Sequence, residues 1–85
     1  MTKDEILAIV RDELERIAPD VAFDAIDPKA PIQQEFDIDS MDFLNFITAL
    51  HERTGVNVPE ADYPRVRTIE GALPYLEETI ARGTP

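Results

Sequence analysis

The sequence predicts an all-α fold, a four-helix bundle with three longer helices, one short helix and a long first loop. Apolar residues recur every three or four positions in three separate stretches, and none of the chain alternates apolar with polar residues as a half-buried strand would. Between these stretches fall prolines and Gly55, which punctuate helices rather than extend them. The 85 residues suffice for one domain of this kind, so residues 1–85 are read as a single domain.

The first helix opens with a capping box, Thr2 followed three residues later by Glu5, with Met1 and Ile6 at the positions of a hydrophobic staple. Ile6, Val10, Leu14 and Ile17 give it an apolar face, and Pro19 ends it. Residues 19–39 have no sustained period but carry Val21, Phe23, Ile26, Ile32 and Phe36 as anchors, which predicts a long loop packed down by its own side chains. Ser40 is the expected N-cap of the second helix, with Asp39 and Asp42 near its positive end. Met41, Phe43, Leu44, Phe46, Ile47 and Leu50 exceed one narrow stripe, so this helix is expected to pack against more than one neighbour. Gly55 stops it in the left-handed conformation. Glu60 to Tyr63 reads as one short helical turn that Pro64 prevents from extending. The last helix opens near Thr68 with Ile69, Ala72, Leu73, Leu76 and Ile80 on one face, and Pro74 predicts either a kink or a later start.

Composition narrows the function. Eighteen acidic against eight basic side chains give a formal charge of −10, which repels nucleic acid and favours partners with basic docking surfaces. With no Cys there is no disulfide framework and no thiolate nucleophile, and with neither a signal-like start nor a long apolar run the chain is expected to be a cytoplasmic monomer with no membrane span. Catalysis is hard to build from one Ser, one His and scattered carboxylates, and the chain is read as not an enzyme. Ser40 and His51 are eleven residues apart, roughly 16 Å along a helix, beyond hydrogen-bond reach. No metal site is expected: counted from Asp37, an EF-hand loop would need Gly and Glu where Asp42 and Thr48 stand.

The segment Phe36-Asp37-Ile38-Asp39-Ser40-Met41-Asp42-Phe43-Leu44 resembles the attachment motif of the acyl and peptidyl carrier proteins. Ala49 to Pro59 resembles that family's helix exit into a Val-Pro step, and Thr68-Ile69-Glu70-Gly71-Ala72-Leu73 its last-helix entry, so the similarity runs from about Pro31 to Leu76. The resemblance implies a 4'-phosphopantetheine arm attached covalently to Ser40, with Asp39 and Met41 beside it and acyl groups carried as thioesters on the arm. It implies a phosphopantetheinyl transferase and an acyl synthetase or acyltransferase as partners, docking on Asp39, Asp42, Leu44, Asn45, Glu52, Glu60 and Asp62. Two departures from the family pattern stand out. Asp37 occupies a position where Gly is usual, and Asn45, His51 and Arg53 stand where housekeeping fatty-acid carriers tend to show Glu, which points to a specialised fatty acid, polyketide or related pathway. Taken without the resemblance, the same residues also fit an unmodified helical protein-interaction module in which Ser40 is only a cap.

Overall fold

The computed structural model describes residues 1–83, so the last two positions of the expected 1–85 domain lie outside the described residues. Four α-helices form: α1 (Lys3–Ile17), α2 (Ile32–Glu35), α3 (Ser40–Thr54) and α4 (Ile69–Ala81). Two 3₁₀ segments, Phe23–Ala25 and Glu60–Val66, complete the framework. Among the described residues no strand forms, although Pro31 and Thr68 make an isolated antiparallel bridge. No described helix is long and apolar enough to cross a membrane.

The α1 capping box is present, with Glu5 N–H donating to the Thr2 hydroxyl and Thr2 N–H to the Glu5 carboxylate. At the staple positions beside it, Ile6 is buried and Met1 is 55% exposed. Ile6, Ile9, Val10 and Leu14 make α1 the hub against which α3, α4 and the Phe23–Ala25 turn pack. Glu13, which the periodicity does not mark, is also buried; its carboxylate meets Arg53 of α3 at 3.0 Å and Arg16 at 3.4 Å, an ionic clamp between two helices.

The first connection is packed, as its anchors require. Ile32 and Phe36 enter the core, while Val21, Phe23 and Ile26 lean on its edge. Arg11 pairs with Asp24 and lies over the Phe23 ring, whose own neighbour is Phe36 at 6.2 Å. The loop is laced to the far side of the molecule by backbone bonds from Ile32 N–H to Arg67 C=O and from Glu70 N–H to Pro28 C=O. Asp37 takes a left-handed φ of 51°, which explains why that position suits Gly. Asp37→Gly is therefore expected to raise stability by about 0.5 kcal/mol and Asp37→Val to lower it by about 1–2 kcal/mol in urea titrations, because side chains other than Gly, Asn and Asp resist this backbone.

The apolar excess of α3 does reach a second neighbour: Phe43, Phe46, Ile47 and Leu50 are buried, α1 packs along the helix, and Phe43 also meets Tyr63 of the Glu60–Val66 segment, while Met41 is 67% and Leu44 44% exposed. The readings at two prolines change. Pro64 does not end the short helix, which runs on to Val66 as a 3₁₀ segment, where a missing N–H removes a single bond and leaves the turn standing. Of the two outcomes expected at Pro74, a later start of α4 does not occur. The Thr68 hydroxyl accepts the Gly71 N–H at 3.0 Å and starts the helix at Ile69; Pro74 and Glu70 are both exposed, so water can take the Glu70 carbonyl that Pro74 cannot serve. Gly55 caps α3 with φ 77°, as expected, and Val56 turns back into the core beside Leu50.

Tyr75 joins α4 to the 3₁₀ segment. Its hydroxyl donates to the Asp62 carboxylate at 2.8 Å, its ring is buried, and the Arg65 guanidinium lies 4.8 Å from the ring centre. Burial first, and the Asp62 carboxylate second, raise the Tyr75 pKa above its ordinary value. A raised folded-state pKa gives stability that is present below the unfolded tyrosine value near 10 and lost as pH rises through the folded value. Tyr75→Phe is expected to cost about 1.5 kcal/mol at neutral pH, and the gap to wild type should narrow above pH ~10 when both are unfolded in urea.

Candidate functional site

The site forms where the laced loop delivers the chain to α3. The Asp39 carboxylate, in extended backbone, accepts the Asp42 N–H at 2.8 Å, and Asp39 is therefore the N-cap. This corrects the expected cap: Ser40 is the first residue inside the helix, because it is Asp39 that has the extended backbone of a cap and whose carboxylate takes the Asp42 N–H. Relieved of capping, the Ser40 hydroxyl is exposed, with Gln33 Nε2 of α2 at 3.4 Å. The Ser40 and Met41 N–H groups precede the first intrahelical bond, from Phe43 N–H to Asp39 C=O, and so lie at the positive end of the α3 dipole.

A groove of about 610 Å³ opens beside this hydroxyl, lined by Ser40, Phe43 and Leu44 on one side and Glu60, Tyr63, Pro64 and Arg67 on the other, with Gln33 at its end. Its wall is built from rings: Phe43 and Tyr63 meet edge-on at 6.3 Å and 83°. An exposed nucleophilic oxygen, free backbone donors and an adjoining apolar wall together suit a phosphodiester at Ser40 with a slender organic chain running from it. The residues present fit the arm that the sequence implies.

Of the residues named from the sequence, Ser40, Leu44 and Glu60 come together in the groove, and Asp39 and Asp42 neighbour Ser40 in the first turn of α3 without lining the groove. Met41 does not join them: it is 67% exposed and lies outside the groove, because its side chain follows the solvent face of α3. Asn45 and Glu52 are exposed further along α3, and Asp62 is half-buried and engaged by Tyr75. His51 is far from Ser40 in function as well as sequence, since its Nδ1 lies 3.2 Å from the Val56 carbonyl at the other end of the helix. Among the described residues no group of three or more His, Asp or Glu side chains is placed to hold a metal ion. Gln33, Phe43, Tyr63, Pro64 and Arg67 were not marked as site residues by the sequence; contacts between distant segments, Phe43 with Tyr63, Gln33 with Ser40 and Ile32 with Arg67, reveal them.

Comparison with known proteins agrees with this geometry. The acyl carrier protein of Thermosynechococcus vestitus is 29% identical over 85 residues, covering 95% of this chain and 99% of its own length. That of Rubrobacter xylanophilus is 27% identical over 79 residues, covering 92% and 95%, and that of Streptomyces coelicolor 28% over 77 residues, covering 91% and 84%. A family model described as "Phosphopantetheine attachment site" matches residues 4–73, beginning well before the motifs legible from Pro31 onward. With the match extending over most of the molecule, α1 included, the chain belongs to the phosphopantetheine attachment site family, and phosphopantetheine is its prosthetic group.

Proposed function

We propose that this chain is an acyl carrier, not an enzyme, in which Ser40 receives the phosphopantetheine arm and the whole chain acts as one carrier domain. The observation that carries the reading is the position of the chain's single serine: exposed, in the first turn of α3, beside a groove that fits a slender chain. When attached, the arm supplies a terminal thiol that holds acyl groups as thioesters. The protein's own part is to present and hold. Asp39 fixes the first turn so that the Ser40 oxygen stands clear of the backbone, and the free Ser40 and Met41 N–H groups favour the negative charge that attachment adds. Asp39 and Asp42 give a basic transferase a negative target around the hydroxyl. With no Cys in the chain, no protein thiol competes for acyl exchange.

Incubating the protein with coenzyme A, Mg²⁺ and a broad-specificity phosphopantetheinyl transferase tests this reading. Intact mass should rise by one arm per chain, and no rise with an active transferase would refute it. An unmodified interaction module, the other reading of the residues, predicts no rise.

The finer reading is that the carrier serves a specialised fatty acid, polyketide or related pathway. It is supported by Asn45, an uncharged and exposed residue on α3 at a position where the housekeeping carriers tend to be acidic. Exposed ion pairs contribute about 0.2–1 kcal/mol and act mainly on encounter. Asn45→Glu is therefore expected to raise the acylation rate by a housekeeping synthetase at low salt, with a gain that shrinks as salt rises. His51 is left unchanged in this test because its ring is tied to Val56. Equal rates for variant and parent at low salt would defeat the assignment.

A further inference from the structure

The groove beside Ser40 contains a cation that the rest of the fold does not use. Arg11, Arg16, Arg53 and Arg65 each pair with a carboxylate, and of the described cations without an ion pair, Lys3, Lys29, Arg67 and Arg82, only Arg67 lines the groove. Among the described residues the Arg67 side chain has no ion pair, hydrogen bond or ring partner, in a chain with eighteen acidic residues. Its backbone is nevertheless pinned: the Arg67 carbonyl accepts the Ile32 N–H at 2.7 Å, which sets Arg67 beside the turn that carries Gln33. Gln33 reaches Ser40 Oγ at 3.4 Å, and all three residues line the same groove. A cation carried on a pinned backbone and a carboxamide donor thus line the groove that holds the oxygen to which the arm is assigned.

We propose, resting on the assignment of Ser40, that Arg67 and Gln33 bind the phosphodiester of the arm and draw the arm over the groove wall formed by Leu44, Phe43 and Tyr63. A phosphodiester on Ser40 Oγ would have the Asp39 and Asp42 carboxylates as neighbours along the first turn of α3 and Gln33 and Arg67 as neighbours in the groove. The carboxylates repel it, whereas a guanidinium offers paired N–H donors that match phosphate oxygens, with the Gln33 amide as a further donor. The arm then leaves the phosphate along the ring wall, where its apolar methyl groups are shielded from water.

The test uses the full chain loaded with the arm, loading being confirmed by intact mass. A failure to load overturns the assignment of Ser40 and is seen before Arg67 enters the experiment. In the loaded protein at low salt, the ³¹P resonance of the phosphodiester is expected to differ between wild type and Arg67→Gln, and the difference should shrink with added salt. The Arg67 Nε–H resonance should move between the apo and loaded forms, and nuclear Overhauser effects from the arm's methyl groups to Tyr63 and Leu44 should vanish in Arg67→Gln. Identical phosphorus resonances with an unmoved Arg67 Nε–H overturn the proposal. So does an Arg67 shift that appears only after loading a carboxylate-ended acyl group such as succinyl, which would assign the cation to the cargo.

Discussion

Changing Ser40 to alanine is expected to abolish the mass gain produced by coenzyme A and a transferase while leaving the helices folded. The loss should be complete, because the chain has no other serine. Stability should hardly change. The cap of α3 is the Asp39 carboxylate on the Asp42 N–H, and that bond survives the substitution. Alanine is also a good residue inside a helix, so the change should cost less than the ~1 kcal/mol that removing a true cap would. The hydrogen bond from Gln33 that alanine removes is long, at 3.4 Å, and exposed. Circular dichroism and the urea midpoint report the fold, intact mass reports the modification, and the two readouts separate. A folded Ser40→Ala protein that still gains one arm would show that the attachment point lies elsewhere.

The sequence reveals the helices where local chemistry decides them. Thr2 with Glu5, Gly55, and Thr68 each act within three or four residues of themselves, and all three terminate helices where the pattern predicts. It misleads where the outcome depends on a distant partner. Glu13 looks like a solvated position until Arg53, forty residues away, arrives beside it. The period of α3 does not tell which of its apolar residues face outward, and the fold leaves Met41 and Leu44 exposed. Pro64 and Pro74 look like breakers because propensity weighs a missing N–H more heavily than the packing of Val66, Tyr75 and Leu76 around them.

The site divides in the same way. Ser40 and its flanking carboxylates form a contiguous motif and are legible at once. The opposite wall of the groove comes from residues 60–67, brought there by the loop bonds from Ile32 to Arg67 and from Glu70 to Pro28. No periodicity within either segment encodes that approach. Asp39 and Ser40 also exchange roles between sequence and structure, since both are good caps and only the extended backbone of Asp39 identifies which of them serves.

Gly71→Ala is expected to destabilise the protein by about 2 kcal/mol, opposite in sign to what helix propensity predicts. Gly71 lies in the first turn of α4, where alanine would ordinarily gain up to about 1 kcal/mol. A Cβ at this position would stand 2.5 Å from the Arg65 carbonyl oxygen and 3.1 Å from the Thr68 hydroxyl that caps the helix. The first of these is backbone, so no rotamer change relieves it, and the 3₁₀ segment must move away from α4. Overpacking of this kind costs about 1–3 kcal/mol and exceeds the propensity gain. The displaced segment also carries Tyr63 and leads into Arg67, so the groove beside Ser40 should widen along with the loss of stability. The urea midpoint of Gly71→Ala measures the first effect, and the amide shifts of Tyr63, Arg67 and Ile32 in NMR spectra of the still-folded variant measure the second. A midpoint equal to or above wild type would mean that the two segments separate without cost and that glycine at 71 is not required for their approach.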